Sequence, residues 1–313
     1  MSQWGIEARC MMVFTESHQD CDRAPGVLIN IRLMCMGSEG MGVSSAGLAP
    51  GIWLIGIGPG DLGHITERAK LIARGCDKRY LEGYTAILPS NQEEILESVV
   101  GPWERIMRSS VENPSDLISE AREDAIALMV VGDPFHATTH IDLEARCAEE
   151  GVGFGVVPGM SATSLAISLS GLQSYKFGRQ VTIPYPYGDY LATSPLEMLL
   201  SNMSSGLHTL VLLDLDPTGM GSDPPTPMPP SVALSVLEKM MGKYSESGTE
   251  EILDSPGDWL AILLSDVGTV EQRVVSGTLR EVCQNDVGLI HSLIIPSDMS
   301  DNESDAFERR KEA

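Results

Sequence analysis

The 313-residue chain carries 44 Asp and Glu against 21 Lys and Arg, a net charge of −23, and is 42% hydrophobic but only 5% aromatic. That length supports two ordinary domains or one large one, with a core of aliphatic side chains and methionine. The acidity argues against a surface built to grip nucleic-acid phosphate, and no apolar run approaches the ~20 residues that cross a bilayer.

Residues 1–51 hold three of the six cysteines, six methionines and the small-residue stretch "GSEGMGVSSAGLAPG", with no sustained period. They read as a disordered or mis-assigned extension, with translation starting at a later residue such as Met34 or Met41, and they are left out of the fold. No basic cluster followed by an apolar stretch marks a secretory leader. Cys10, Cys21, Cys35, Cys76, Cys147 and Cys283 include no CxxC pair. Neither a zinc site nor a disulfide framework fits, so reduced thiols in a cytoplasmic protein are expected, with no metal.

From Ile52 strands and helices alternate. "IWLIGI" reads as a strand, "TERAKLIARG" as a helix closed by Gly75, "KRYLEGY" as a strand, and "NQEEILESVV" as a helix ended by Gly101-Pro102. The fully apolar "AIALMVV" runs into "GDPFHATTH", the helix "IDLEARCAEEG", the strand "VGFGVV" and then "PGMSATSLAISLSGL". Apolar strands separated by amphipathic helices predict a mainly parallel sheet covered on both faces. In the second half "QVTIPYP", "HTLVLLDLD", "WLAILLSDVG", "VEQRVVSG" and "LIHSLIIP" are strand candidates, several without a helix between them, so a mixed sheet is expected. A helix "SVALSVLEKMMGKY" is capped by Ser231. The proline-rich "DPTGMGSDPPTPMPP" reads as a mobile loop and the tail from 298 to 313 as acidic and frayed. The expected organisation is two α/β domains, 52–158 and 159–297, with a cleft between them.

"WLIGIGPGDLGHITERA", from Trp53, imitates the dinucleotide fingerprint G-x-G-x-x-G. Gly56 and Gly58 supply two glycines, Asp61 stands at the third place, and Glu82 offers a ribose-binding acid. Pro59, however, removes an N–H from the loop that would cradle a pyrophosphate. The helix also begins only near Ile65-Thr66, so no helix N-terminus is well aimed at phosphate. A second turn, Gly132-Asp133-Pro134, ends the most apolar strand, where open parallel sheets bind ligands. Asp133 suits either a cofactor contact or a cap on its own turn. Taken by itself, His291 reads as a strand-end or core histidine. Tyr185 and Tyr187 suit either the acceptor side of a cleft or the surface.

In this order, "GIGPGD", "LEGYTAIL", "GDPFHATTH", "GLQSYKFGRQVTIPYP" and "GLHTLVLLDLD" resemble the diphthine synthase family. This is a branch of the tetrapyrrole-methylase-type S-adenosylmethionine methyltransferases, and the resemblance spans about Ile52 to Pro296. It implies two α/β domains that bind S-adenosylmethionine between them, release S-adenosylhomocysteine and form a homodimer. The substrate implied is translation elongation factor 2, methylated on the amino nitrogen of its aminocarboxypropyl-histidine. Archaeal members stop at the trimethylammonium and eukaryotic members add a methyl to a carboxylate; both endings stay open here.

Carried over by motif, the cofactor contacts are Pro59, Asp133, His136, Ala162, Thr163, Leu213, Val267 and His291, with no catalytic side chain and no general base. The branch usually has a small or apolar residue where His136 stands, so a backbone contact is expected there. "PGMSAT" is closer to the wider superfamily, and Ala162 and Thr163 therefore depend on an ungapped alignment. The alternatives are methylation of a tetrapyrrole carbon or of ribosomal RNA ribose by the same fold, a non-catalytic binding descendant, and, more distantly, a dinucleotide oxidoreductase.

Overall fold

A computed structural model describes residues 48–311 except 137, 189, 220–223, 247–253, 285 and 286; the reading of residues 1–47 as an extension lies outside them. The first half runs β1 (Gly51–Gly56), α1 (Glu67–Gly75), β2 (Lys78–Glu82), α2 (Ser90–Val100), β3 (Glu104–Ile106), α3 (Arg108–Glu112), α4 (Ser115–Glu120), β4 (Ala125–Val130), α5 (Ile141–Glu149) and β5 (Phe154–Val157). All five strands pair in parallel, in the order β3-β2-β4-β1-β5. Alternate residues of β4 feed opposite faces. Ala125, Ala127 and Met129 pack on the α1–α2 side, while Ile126, Leu128 and Val130 pack against α3, α4 and α5. A strand buried on both faces must be apolar throughout, as the sequence predicts.

The strand order positions the site. Chain leaving β1 passes to α1 on one face, and chain leaving the adjacent β4 passes to α5 on the other. A crevice opens where neighbouring connections diverge in this way.

The second half comprises α6 (Ala162–Ser170), β6 (Val181–Ile183), α7 (Ser194–Ser204), β7 (Thr209–Leu213), α8 (Pro230–Glu246), β8 (Leu260–Ser265), β9 (Arg273–Thr278), α9 (Leu279–Val282), β10 (His291–Ile295) and α10 (Asp301–Glu308). Its sheet has the order β6-β7-β10-β8-β9, with β6–β7 parallel and the other pairs antiparallel. α7, α8 and α9 cover one face, while α6 and α10 lie on the other.

Four local expectations are corrected. The ordered region starts before Ile52: Gly51 pairs with Ala125, and Leu48 packs on the α1 side of the core. α8 begins one residue before Ser231, because Ala233 N–H donates to the Pro229 carbonyl (3.1 Å) and Pro230 takes the first helical position, where its missing N–H costs nothing. Among the described residues of the proline-rich loop before Pro230 no helix or strand forms, yet its end is anchored. Met228 is 1% exposed in the core, and its N–H donates to the Asp214 carbonyl at 2.9 Å. The tail is docked. Ser300 and Glu303 form a capping box at the start of α10, Phe307 is 2% exposed, and the Arg310 guanidinium donates to the carbonyls of Ala306 and Leu169. Its charge hid two buried apolar side chains, Ala306 and Phe307, and a carboxylate with an interior role.

Candidate functional site

Both glycine turns lie at the carboxyl ends of the two central strands and hydrogen-bond to each other. Gly58 N–H donates to the Gly132 carbonyl at 3.2 Å, and Gly132 N–H donates to the Gly58 carbonyl at 2.9 Å. Both residues have positive φ, 78° and 89°, which glycine adopts without steric cost. A third turn at Gly159 presses against them so closely that a Cβ there would lie 2.1 Å from the Gly132 carbonyl oxygen. Backbone alone fills this junction.

The first loop then crosses to the second half. Asp61 N–H donates to the Gly268 carbonyl at 2.8 Å, and a Cβ on Gly268 would lie 2.6 Å from the Pro59 oxygen. The Asp61 carboxylate accepts from Gly63 N–H (2.6 Å), which caps a single turn of 3-10 helix. The third place of the imitation fingerprint is therefore a cap. Glu82, the imitation's ribose acid, is 2% exposed and pairs with His140.

Two adjoining cavities of about 280 and 170 Å³ open between the halves and share Val131, Gly132, Ala162 and Val267. Pro59 lines the larger one. Asp133, His136, Thr163, Leu213 and His291 line the smaller, and Ala162 and Val267 line both. All eight sequence-derived residues thus meet at one cleft. Tyr185 and Tyr187 are absent from its lining. Tyr185 N–H donates to the Asp214 carboxylate (2.9 Å) and its hydroxyl to the Thr226 carbonyl, while Tyr187 is 42% exposed.

Asp133 fulfils its turn-capping reading and more. Its Oδ1 accepts from Phe135 N–H (3.0 Å) and its Oδ2 from Gly159 N–H (3.2 Å), tying the second turn to the third. The His136 imidazole is exposed and lies 3.4 Å from the Thr163 hydroxyl, which in turn meets the Ser161 hydroxyl at the start of α6. His291 is 8% exposed, with Nδ1 2.8 Å from the Ser265 hydroxyl.

Sequence reading missed much of the second wall. Asp266 lines the cleft with φ of 49°, and its carboxylate accepts from the N–H groups of Leu289 and Ile290, which line it too. Thr85 and Ala86 also line it. They lay inside the motif "LEGYTAIL", where the signal was present without either of them being singled out.

The lining has a consistent electrostatic character. Asp61, Asp133, Asp266 and Glu271 contribute carboxylates, and among the described lining residues there is no Lys or Arg. A pyrophosphate would meet like charge with no cation to offset it. A cation with an apolar body, such as a sulfonium nucleoside, finds favourable charge and apolar walls from Ile87, Val131, Leu213 and Ile290. Among the described residues no group of three or more His, Cys, Asp or Glu is arranged to hold a metal ion, and no helix is long and apolar enough to cross a membrane.

Comparison with known proteins agrees with this geometry. The family described as Tetrapyrrole (Corrin/Porphyrin) Methylases matches residues 51–283. The chain belongs to the tetrapyrrole methylases. Within these methylases it is 32% identical over 256 residues to human diphthine methyl ester synthase, covering 78% of this chain and 89% of that protein. It is 30% identical over 258 residues to diphthine synthase of Methanoregula boonei, covering 82% of this chain and 96% of that one. A crystal structure of diphthine synthase superposes with a TM-score of 0.71 at 25% identity, over 83% of this chain and 95% of its own. This tetrapyrrole methylase is accordingly a methyltransferase of diphthamide biosynthesis.

Proposed function

We propose that the chain transfers methyl groups successively from S-adenosylmethionine to the amino nitrogen of the aminocarboxypropyl-histidine of translation elongation factor 2, releasing S-adenosylhomocysteine. The observation that carries this reading is the cleft itself, which combines backbone-only glycine junctions, apolar walls and carboxylates, with no Lys or Arg among the described lining residues. Bound there, S-adenosylmethionine supplies an electrophilic methyl for in-line displacement. Pro59, Asp133, Ala162, Thr163, Leu213, Val267 and His291 hold it, with His136 contributing through its backbone. The protein's own work is positioning, which is worth many kcal/mol when donor and acceptor are held in near-attack geometry. The positive charge of the sulfonium and the exclusion of water by the apolar walls disfavour a protonated amine beside it and keep the acceptor nucleophilic. The working form is a cytoplasmic homodimer, with the elongation factor docked at the cleft rim.

The deciding experiment presents elongation factor 2 carrying the aminocarboxypropyl-histidine, with S-adenosylmethionine, and reads the mass of the modified residue. Three added methyl groups assign the trimethylammonium ending and four the ester ending; an unchanged mass refutes the reading. A calorimetric companion uses S-adenosylhomocysteine and a nicotinamide dinucleotide, of which only the first is expected to bind.

Asp133→Ala is expected to weaken S-adenosylhomocysteine binding by about tenfold while the protein stays folded. It removes two turn-tying hydrogen bonds, each worth roughly 1 kcal/mol net, at the rim of the cavity. Wild-type affinity in this variant would show that the tie between the turns does not shape the cleft.

A further inference from the structure

Behind the cleft wall, Glu82 at the end of β2 and His140 before α5 form a pair that is 2% and 1% exposed. His140 Nε2 lies 3.1 Å from Glu82 Oε2. On the other side of the ring, Nδ1 lies 2.9 Å from the Pro134 carbonyl, and the second carboxylate oxygen of Glu82 accepts from Thr85 N–H at 3.0 Å. A carbonyl only accepts, so Nδ1 carries a hydrogen. Among the described residues neither Nε2 nor Oε2 has another hydrogen-bond partner, and the two meet as an ion-pair contact outside regular hydrogen-bond geometry. A second hydrogen must lie on one of them, because two bare acceptors at that distance repel. The pair therefore shares one proton, and its bonds reach both walls of the cleft. Thr85 lines the cavity on the β2 side, and Pro134 follows Asp133 in the second glycine turn. The Thr138 hydroxyl donates to the same Pro134 carbonyl, so this turn is held from two directions.

We propose that Glu82 and His140 are positioning residues whose shared proton clamps the Thr85–Ala86 wall to the Gly132–Pro134 turn and thereby sets the shape of the cofactor cleft. The inference rests on the S-adenosylmethionine reading only for the identity of the ligand. Burial opposes a charged imidazole here, but the hydrogen bond and negative charge of Glu82 outweigh it and raise the His140 pKa above its ordinary value. The other ionisable groups nearby are Glu112 of α3 and Asp142 and Arg146 of α5, which line a groove with His140, and Tyr84, which is stacked under Arg108 beside Glu82. Because the folded pKa is raised, the clamp is complete below the ordinary histidine pKa and is lost as pH rises through the folded value.

The test compares the wild type with His140→Ala and Glu82→Gln. In Glu82→Gln the side-chain amide can donate to Nε2 of a neutral imidazole while its oxygen accepts from Thr85. The hydrogen bonds to Thr85 N–H and the Pro134 carbonyl survive and no labile proton remains. Hydrogen–deuterium exchange on the ligand-free protein, corrected for intrinsic rates, reads the segments 83–88 and 133–140, and calorimetry with S-adenosylhomocysteine reads the cleft. His140→Ala is expected to lose about tenfold or more in both protection and affinity, as removing one partner of a buried pair leaves the other uncompensated. Glu82→Gln is expected to match the wild type near neutral pH and, unlike it, to keep both properties in alkaline buffer. Should His140→Ala fail to fold, Glu82→Gln decides alone: an alkaline loss parallel to wild type overturns the clamp. Unchanged exchange in a folded His140→Ala protein overturns it as well. If the exchange pattern holds but wild type does not bind S-adenosylhomocysteine, the cofactor reading fails and the clamp stands.

Discussion

Gly159→Ala is expected to destabilise the protein by about 3 kcal/mol, at the upper end of overpacking costs, and to abolish S-adenosylhomocysteine binding. A Cβ at this position would lie 2.1 Å from the Gly132 carbonyl oxygen and 2.8 Å from Gly56 Cα. These are backbone atoms, so no side chain can rotate out of the way. The Gly132 carbonyl already accepts from Gly58 N–H, and the Gly159 N–H donates to Asp133, so any shift that relieves the clash breaks a tie between cleft turns. The usual benefit of replacing glycine, a less flexible unfolded chain, is worth at most about 1 kcal/mol and is overwhelmed. Gly242 supplies the opposite case. It lies within α8 with open space where a Cβ would project, and Gly242→Ala should stabilise by about 1 kcal/mol. Urea denaturation of both variants reads the two signs, and a Gly159→Ala midpoint equal to wild type would refute the backbone junction.

Glu303→Ala is expected to cost about 3–5 kcal/mol, the range for removing one partner from a buried charged cluster. Glu303 is 1% exposed and accepts from His208 Nε2 (3.0 Å), Lys176 Nζ (2.8 Å) and the N–H groups of Gln173 and Ser300 (both 2.9 Å). Burial alone would raise its pKa, but Lys176, the two N–H groups and His208 together hold the carboxyl far below the usual range. Burial pushes His208 below its ordinary value more strongly than Glu303 raises it. The geometry agrees, since His208 Nδ1 accepts from Ser297 N–H at 2.9 Å and the ring is neutral.

Both pKa values are depressed on folding, so both groups stabilise above their ordinary values, 6.5 for histidine and 4.5 for the carboxylate, and lose that stabilisation as pH falls toward the folded ones. Wild-type stability should therefore decline on acidification from neutral pH, beginning with His208. The Glu303→Ala protein, already without the carboxylate, should decline less. Melting temperature against pH tests this, and parallel curves for the two proteins would count against the cluster. The result also bears on the motif "YKFG". Its Lys176 and Phe177 anchor α10 through Glu303 and an edge-on contact with His208, at 5.4 Å between ring centroids, and do not line the cleft.

Most strands of both sheets were legible because they hold apolar runs bounded by glycine, proline or a helical pattern. β3 and α3 were not, at three and five residues, since neither is long enough to express a period. The tail was misread for a different reason. Glu303 looks like any surface acid until His208, 95 positions earlier, is brought against it. The same divide runs through the cleft. Gly58 and Gly132 announce themselves as turns after strands, whereas Asp266, Leu289 and Ile290 carry no local sign of facing them.

By itself the sequence determined the strand and helix alternation, the two glycine turns at strand ends and, through their motifs, the family. These properties depend on neighbouring residues: backbone freedom at a glycine, burial period along a strand, a cap three residues from its donor. The tertiary structure alone decided that the turns bond to each other, that Glu82 faces His140, and that the described cleft lining offers carboxylates with no Lys or Arg. Those are relations between residues far apart in the chain, and only the packing of the two sheets puts their charges and backbones within bonding distance.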